Sequence, residues 1–175
     1  ITVARDGLRV IVPARAAEPP DAELGAVVHL RRGNEQTGRA PGFYVALGDA
    51  DWPAGDDIEL RVYLHVIAAG AALLVTNATR ALNERAVPFT LKVVGHPAGY
   101  RRCDAAVLYL RRGDFGQARA VVRELVAVCG PYLRPVVPAL TYPLAPGVAV
   151  AEHVPGHGDS FGASRCRLIA EGALE

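Results

Sequence analysis

The sequence predicts an α+β domain, a twisted mixed β-sheet with a βαβ crossover and helices packed on it. Three observations lead there. Residues 58–67 alternate between apolar side chains (Ile58, Leu60, Val62, Leu64, Val66) and polar ones (Glu59, Arg61, Tyr63, His65), the period of a half-buried strand. Residues 69–86 instead place Leu74, Ala78 and Leu82 four apart, the spacing of one helix face. Pro88 stops that helix, and residues 89–94 are again apolar and strand-like. Strand, helix and strand at these lengths make a crossover that leaves the two strands parallel. A chain of 175 residues, 51% of them hydrophobic, is long enough for one compact domain with its own core.

The remaining elements follow from local signals. Short β-rich runs at 8–12, 26–31 and 43–47 are separated by turn residues. Residues 95–102, rich in Gly, Pro and Arg, read as a loop, and 105–110 as a buried strand. Asp114 is expected to N-cap a helix over 115–128, which Gly130-Pro131 ends. Its apolar stripe, Ala118, Val121, Val122, Leu125 and Val126, is a core face. Residues 131–154 carry five prolines by Pro146 and are expected to be irregular. A turn cluster at 155–160 leads into a last helix from Phe161 to about 174. Residues 1–57 thus form N-terminal strands and loops, and 58–175 the main body. The chain contains no Met, which predicts that its start is incomplete.

Composition excludes several classes. A net charge of +1 gives no basic field for nucleic acid. No apolar run reaches the ~20 residues of a membrane span, and no signal peptide is visible. The three cysteines, Cys103, Cys129 and Cys166, show no CxxC spacing. They predict reduced thiols in a cytoplasmic protein and no zinc site. His153 and His157 are four apart, but Pro155 and Gly156 between them prevent a helical metal pair. His29 and His96 read as structural or exposed. Asp49, Asp51, Asp56 and Asp57 lack the pattern of a calcium loop. No GxSxG, Walker or GxGxxG motif occurs.

One position stands apart. The 19 Lys and Arg residues comprise eighteen Arg and a single Lys, Lys92, within the strand-like run Phe89-Thr90-Leu91-Lys92-Val93-Val94. Arginine stays protonated, whereas lysine loses its proton when desolvated or crowded by other cations. Lys92 is either a survivor of an Arg-rich composition or a base or nucleophile. Arg61, Tyr63 and His65 share one face of the best strand and span about 13 Å. That face is either solvated or the floor of a site. If the crossover brings Lys92 onto a nearby strand, Lys92 and His65 become an acid–base pair that needs no metal. Arg101, Arg102 and Arg165, in loops or at a helix start, are candidate phosphate ligands.

Several separated motifs, in one order, resemble the HopA-type effector family. They are Arg61-Val62-Tyr63-Leu64-His65, then Leu82-Asn83-Glu84-Arg85-Ala86-Val87-Pro88-Phe89-Thr90-Leu91-Lys92-Val93, then Tyr100-Arg101-Arg102-Cys103-Asp104-Ala105-Ala106-Val107-Leu108-Tyr109. Leu133-Arg134-Pro135, Pro143-Leu144-Ala145-Pro146-Gly147, Ser160-Phe161-Gly162 and Arg165-Cys166-Arg167-Leu168 continue the series. The resemblance covers roughly 58–174. The family includes plant-pathogen type III effectors. It also includes bacterial proteins that act with a kinase-like partner on class V lanthipeptides and thioamide-containing peptides.

The resemblance implies a phosphoserine/phosphothreonine lyase, similar to the phosphothreonine lyases. Its substrate would be a precursor peptide phosphorylated by the kinase-like partner, its product dehydroalanine or dehydrobutyrine. By motif, Lys92 takes the base position and His65 the acid position, with Tyr63 as an alternative acid. Arg61, Arg101, Arg102 and Arg165 would hold the phosphate, and no cofactor or metal is implied. The match at His65 is looser, because the Lys-x-His of those lyases is Tyr63-Leu64-His65 here. The alternative from another class is a non-catalytic phosphopeptide- or protein-binding module. It keeps the arginines and needs neither Lys92 nor His65.

Overall fold

The computed structural model describes residues 1–5, 7–30, 33–52, 59–153 and 160–173. By its contacts the chain divides into two compact units, Ile1–Asn34 and Glu35–Glu175. The first unit holds two small antiparallel pairs. Strands β1 (Thr2–Arg5) and β2 (Leu8–Ile11) form a hairpin, and β3 (Ala17–Glu18) pairs with β4 (His29–Leu30). The strand expected over 26–31 is thus confined to its last described residues.

The second unit carries a six-stranded sheet. In chain order its strands are β5 (Phe43–Leu47), β6 (Glu59–Leu64), β7 (Thr90–Val94), β8 (Ala106–Arg111), β9 (Tyr142–Ala145) and β10 (Val148–His153). Across the sheet the order is β5-β7-β8-β6-β10-β9, and every pairing is antiparallel. The helices are α1 (Ala71–Glu84), α2 (Phe115–Cys129) and α3 (Phe161–Gly172). The expected α+β architecture is therefore present. Strands β6 and β7 run in the same direction, as a crossover through α1 requires, but β8 lies between them and is antiparallel to both. The crossover is split.

Two faces of this sheet have different fates. Leu60, Val62 and Leu64 of β6, Leu91 and Val93 of β7, and Leu108 and Leu110 of β8 enter one core with α1 and α2. Helix α1 contributes Leu74, Ala78 and Leu82, and α2 contributes Ala118, Val121, Val122 and Leu125, the stripes their spacing predicts. Each leucine removed completely from water contributes about 2 kcal/mol. The opposite face is covered only in part. There Tyr63, Val107, Ala151 and Phe161 form a small buried cluster, with Tyr109 packed against it. Helix α3 starts on this face, capped by the Ser160 side chain, which accepts from the Ala163 N–H at 3.2 Å.

Two expectations change. Residues 131–154 are not irregular: β9 and β10 form a hairpin that extends the sheet from β6. Proline is tolerated because β9 is an edge strand, and Gly147, at φ +75°, makes the turn. Asp114 precedes α2 but makes no side-chain cap. Its carboxylate accepts from Arg111 Nε at 2.6 Å and Nη2 at 2.8 Å, and a two-pronged pair with a guanidinium outweighs the single bond a cap would make. The turn cluster at 155–159, with His157, and Ile58, Asp56 and Asp57 lie outside the described residues.

Candidate functional site

The half-covered face of the sheet assembles the polar residues. Register places Lys92 of β7 opposite Val107 of β8, and Val107 opposite Tyr63 of β6. One step along the strands, Thr90, Tyr109 and Arg61 form the parallel row. Lys92 and Tyr63 are therefore two strands, or about 10 Å, apart across the sheet.

Lys92 sits over an aromatic ring. Phe43 of β5 is diagonal to Lys92, since Val45 pairs with Lys92 and Phe43 with Val94. The ammonium nitrogen lies 3.9 Å from the centre of the Phe43 ring, and the Arg102 guanidinium lies 5.6 Å from the same ring. Two cations share one aromatic ring. Burial, then the charge of Arg102 and that of Arg61, lower the Lys92 pKa from its ordinary value, while Asp104 pulls it back up. The net shift is downward, toward the free amine.

Arg102 is brought there by a short 3-10 turn over Pro97–Arg101, inside the segment expected to be loop. His96 accepts from the Ala98 N–H at 3.2 Å, and the buried Tyr100 hydroxyl donates to the Val94 carbonyl at 2.6 Å, tying the turn to β7. Arg102 then makes a two-pronged ion pair with Asp104, with Nη2 to Oδ2 at 2.7 Å. Burial pushes the Asp104 carboxyl up. The hydrogen bonds and charge of Arg102, with a smaller pull from Lys92, outweigh this and hold it below the usual range. Arg101, at the end of the turn, is exposed.

Arg61 lies beside Tyr63 and Tyr109. Its Nε donates to Glu59 at 2.7 Å, and its guanidinium lies 5.4 Å from the centre of the Tyr109 ring. Burial pushes the Tyr63 phenol up to about 12, against the charge of Arg61 and a hydrogen bond from it. Tyr63 is thus a neutral hydroxyl at ordinary pH. Its ring packs against Phe161 of α3, with centroids 5.9 Å apart.

His65 and Arg165 have other surroundings. His65 follows the end of β6 and is 5% exposed. Its Nδ1 is 2.9 Å from the Val136 carbonyl, which can only accept, so Nδ1 carries a proton. Its Nε2 is buried without a hydrogen-bond partner. Backbone bonds from His65 N–H to the Gly147 carbonyl (2.8 Å) and from Arg134 N–H to the His65 carbonyl (3.0 Å) fix it against the β9–β10 turn and the segment before β9. Arg165 stacks over Phe161 at 5.2 Å and donates to the Glu152 carbonyl at 2.9 Å. It lines a cleft of about 600 Å³ with Arg112 and Tyr142. Lys92 lines a different cleft of about 590 Å³, which shares no lining residue with that one.

Sequence reading missed Phe43, Asp104 and the cleft wall beside Lys92. The i, i+2 spacing of Arg102 and Asp104 hints at an ion pair. Nothing in the sequence links Phe43 to Lys92, because strand pairing alone creates that contact.

The fold and pocket define an α+β protein with a lysine held among arginines on a half-open sheet face. A model of the HopA1 effector protein family matches residues 36–175, and the chain belongs to that family. Two solved structures have a similar fold. One is the effector protein from Pseudomonas syringae pv. tomato strain DC3000, with a TM-score of 0.62 and 22% identity over 73% of this chain and 50% of that one. The other is the effector protein from Pseudomonas syringae pv. syringae strain 61, with a TM-score of 0.55 and 23% identity over 76% and 52%. At these identities the likeness shows the fold alone. This chain spans about half the length of those relatives. No functionally curated protein gives a significant sequence match. Among the described residues, no helix is long and apolar enough to cross a membrane.

Proposed function

We propose that the protein is a phosphoserine/phosphothreonine lyase that eliminates phosphate from a peptide phosphorylated by a kinase-like partner. The observation that carries this reading is Lys92, half-buried over Phe43 and crowded by Arg102 and Arg61, with its pKa pulled down. A peptide Cα–H is a weak acid, so its base must be strong yet unprotonated, and a crowded lysine meets both needs.

In the proposed step the Lys92 amine takes the Cα proton. The C–H electrons become the Cα=Cβ double bond, and the Cβ–O bond breaks. An acid on β6 protonates the departing phosphate oxygen. Tyr63 and His65 are the two candidates. Tyr63 stands two strands from Lys92 on the same sheet face, and the charges of Arg61 and Asp104 act on both groups, which supports Tyr63. His65 must carry a second proton, on Nε2, to serve the same purpose. Arg102 and Arg61, whose charges act on Lys92, supply the positive field for the phosphate dianion. Arg165 and the exposed Arg101 would contact the peptide outside that pocket. The products are dehydrobutyrine or dehydroalanine and inorganic phosphate.

Incubation with a phosphothreonine peptide, with no kinase present, tests the reading by mass spectrometry. Loss of the elements of phosphoric acid supports it. Binding without any mass change supports the non-catalytic phosphopeptide module instead.

A further inference from the structure

The cleft beside Lys92 is larger than one phosphorylated side chain needs. At about 590 Å³ it falls within the range that encloses a whole small ligand. It runs from Lys92 past Thr90 along β7 and is bordered by Val45 and Leu47 of β5. Phe89 lies in its wall, and Trp52, the single tryptophan of the chain and 41% exposed, stands at its side. The cations Arg102 and Arg61, which favour phosphate, act on Lys92 itself. Asp51, Glu59 and Arg39 also line the cleft, and Glu59 is held by Arg61 at 2.7 Å, so the charges there are mixed in sign.

From these observations we infer that the cleft is a second subsite. It takes the residue adjoining the phosphorylated one and selects an apolar side chain, with Trp52 as its wall. The inference rests on the lyase reading for the position of the phosphorylated residue. A base that reaches Cα fixes the neighbouring Cα about 3.8 Å away, and the cleft bordered by Val45, Leu47 and Trp52 is what adjoins Lys92. An aliphatic or aromatic neighbour would cover Val45, Leu47 and the Trp52 ring, exchanging water for apolar contact. A glycine or aspartate neighbour would leave that apolar surface in water.

The test uses three phosphothreonine peptides that differ only in the residue next to phosphothreonine: leucine, glycine or aspartate. Two readouts are taken on the wild-type chain, kcat/KM for elimination and titration of Trp52 fluorescence. The leucine peptide is expected to exceed the glycine and aspartate peptides about tenfold in both, the scale of one apolar side chain in a pocket. Trp52→Ala is expected to bring the leucine-to-glycine ratio of kcat/KM toward one, and Trp52→Phe to restore most of it. Elimination with equal rates for all three peptides overturns the subsite and leaves the lyase reading standing. No elimination, with Trp52 fluorescence still preferring the leucine peptide, overturns the lyase reading and supports the subsite. Fluorescence that none of the peptides changes overturns the subsite whatever the chemistry does.

Discussion

Gly147→Ala is expected to destabilise the protein by about 3 kcal/mol, and the reasons lie in three local features. Gly147 has φ +75°, where a residue with a Cβ costs about 1–2 kcal/mol. A Cβ built there would overlap the Arg134 carbonyl oxygen, a backbone atom with no soft way to yield. Moving Arg134 strains the Arg134 N–H bond to the His65 carbonyl (3.0 Å) and the Gly147 N–H bond to the Pro135 carbonyl (3.1 Å), at about 1 kcal/mol each. The same segment carries the Val136 carbonyl that holds the His65 ring, so the damage reaches β6. Urea unfolding of wild type and variant measures this. With a slope of about 1–3 kcal/mol per molar urea, the midpoint should fall by about 1–3 M. A loss under about 1 kcal/mol would refute the view that this turn locks the hairpin onto β6.

Three further outcomes follow from the charges around Lys92. Asp104→Asn removes the one neighbour that pulls the Lys92 pKa up, so the acid limb of the pH–rate profile should move to lower pH; an upward move contradicts the assignment. Tyr63→Phe should slow elimination about 100-fold if its hydroxyl is the acid, and a larger loss in His65→Gln than in Tyr63→Phe would reverse that choice. Lys92→Met concerns stability. The folded state holds the Lys92 pKa below its ordinary 10.5, so the unfolded chain binds more protons between the lowered value and 10.5, and wild-type stability rises with pH through that window. Denaturation should therefore find Lys92→Met more stable relative to wild type at pH 7 than at pH 10, and an advantage that grows with pH would contradict the buried-cation account.

Much of this arrangement was legible because period and core agree. The alternation around Arg61, Tyr63 and the leucines of β6, and the four-residue spacing of α1, report burial directly, and burial is local to each element. What escaped depends on tertiary pairing. The insertion of β8 between β6 and β7 puts Val107 between Lys92 and Tyr63, and no spacing in the sequence encodes that order. The β9–β10 hairpin was hidden because Pro143 argues against a strand, although an edge position accepts it. Asp114 read as a helix cap until Arg111, three residues away, claimed its carboxylate. Phe43 and Asp104 owe their places beside Lys92 to strand register and to the turn that Tyr100 pins.

The central claim is that Lys92 must give up its proton. Arginine retains the charge and cannot do so, and its guanidinium can still stack on Phe43. The most direct measurement is phosphate release from a phosphothreonine peptide by wild type and Lys92→Arg, with Trp52 fluorescence checking that both still bind it. The account predicts that release is abolished in Lys92→Arg while binding survives. Near-normal release by Lys92→Arg would contradict it.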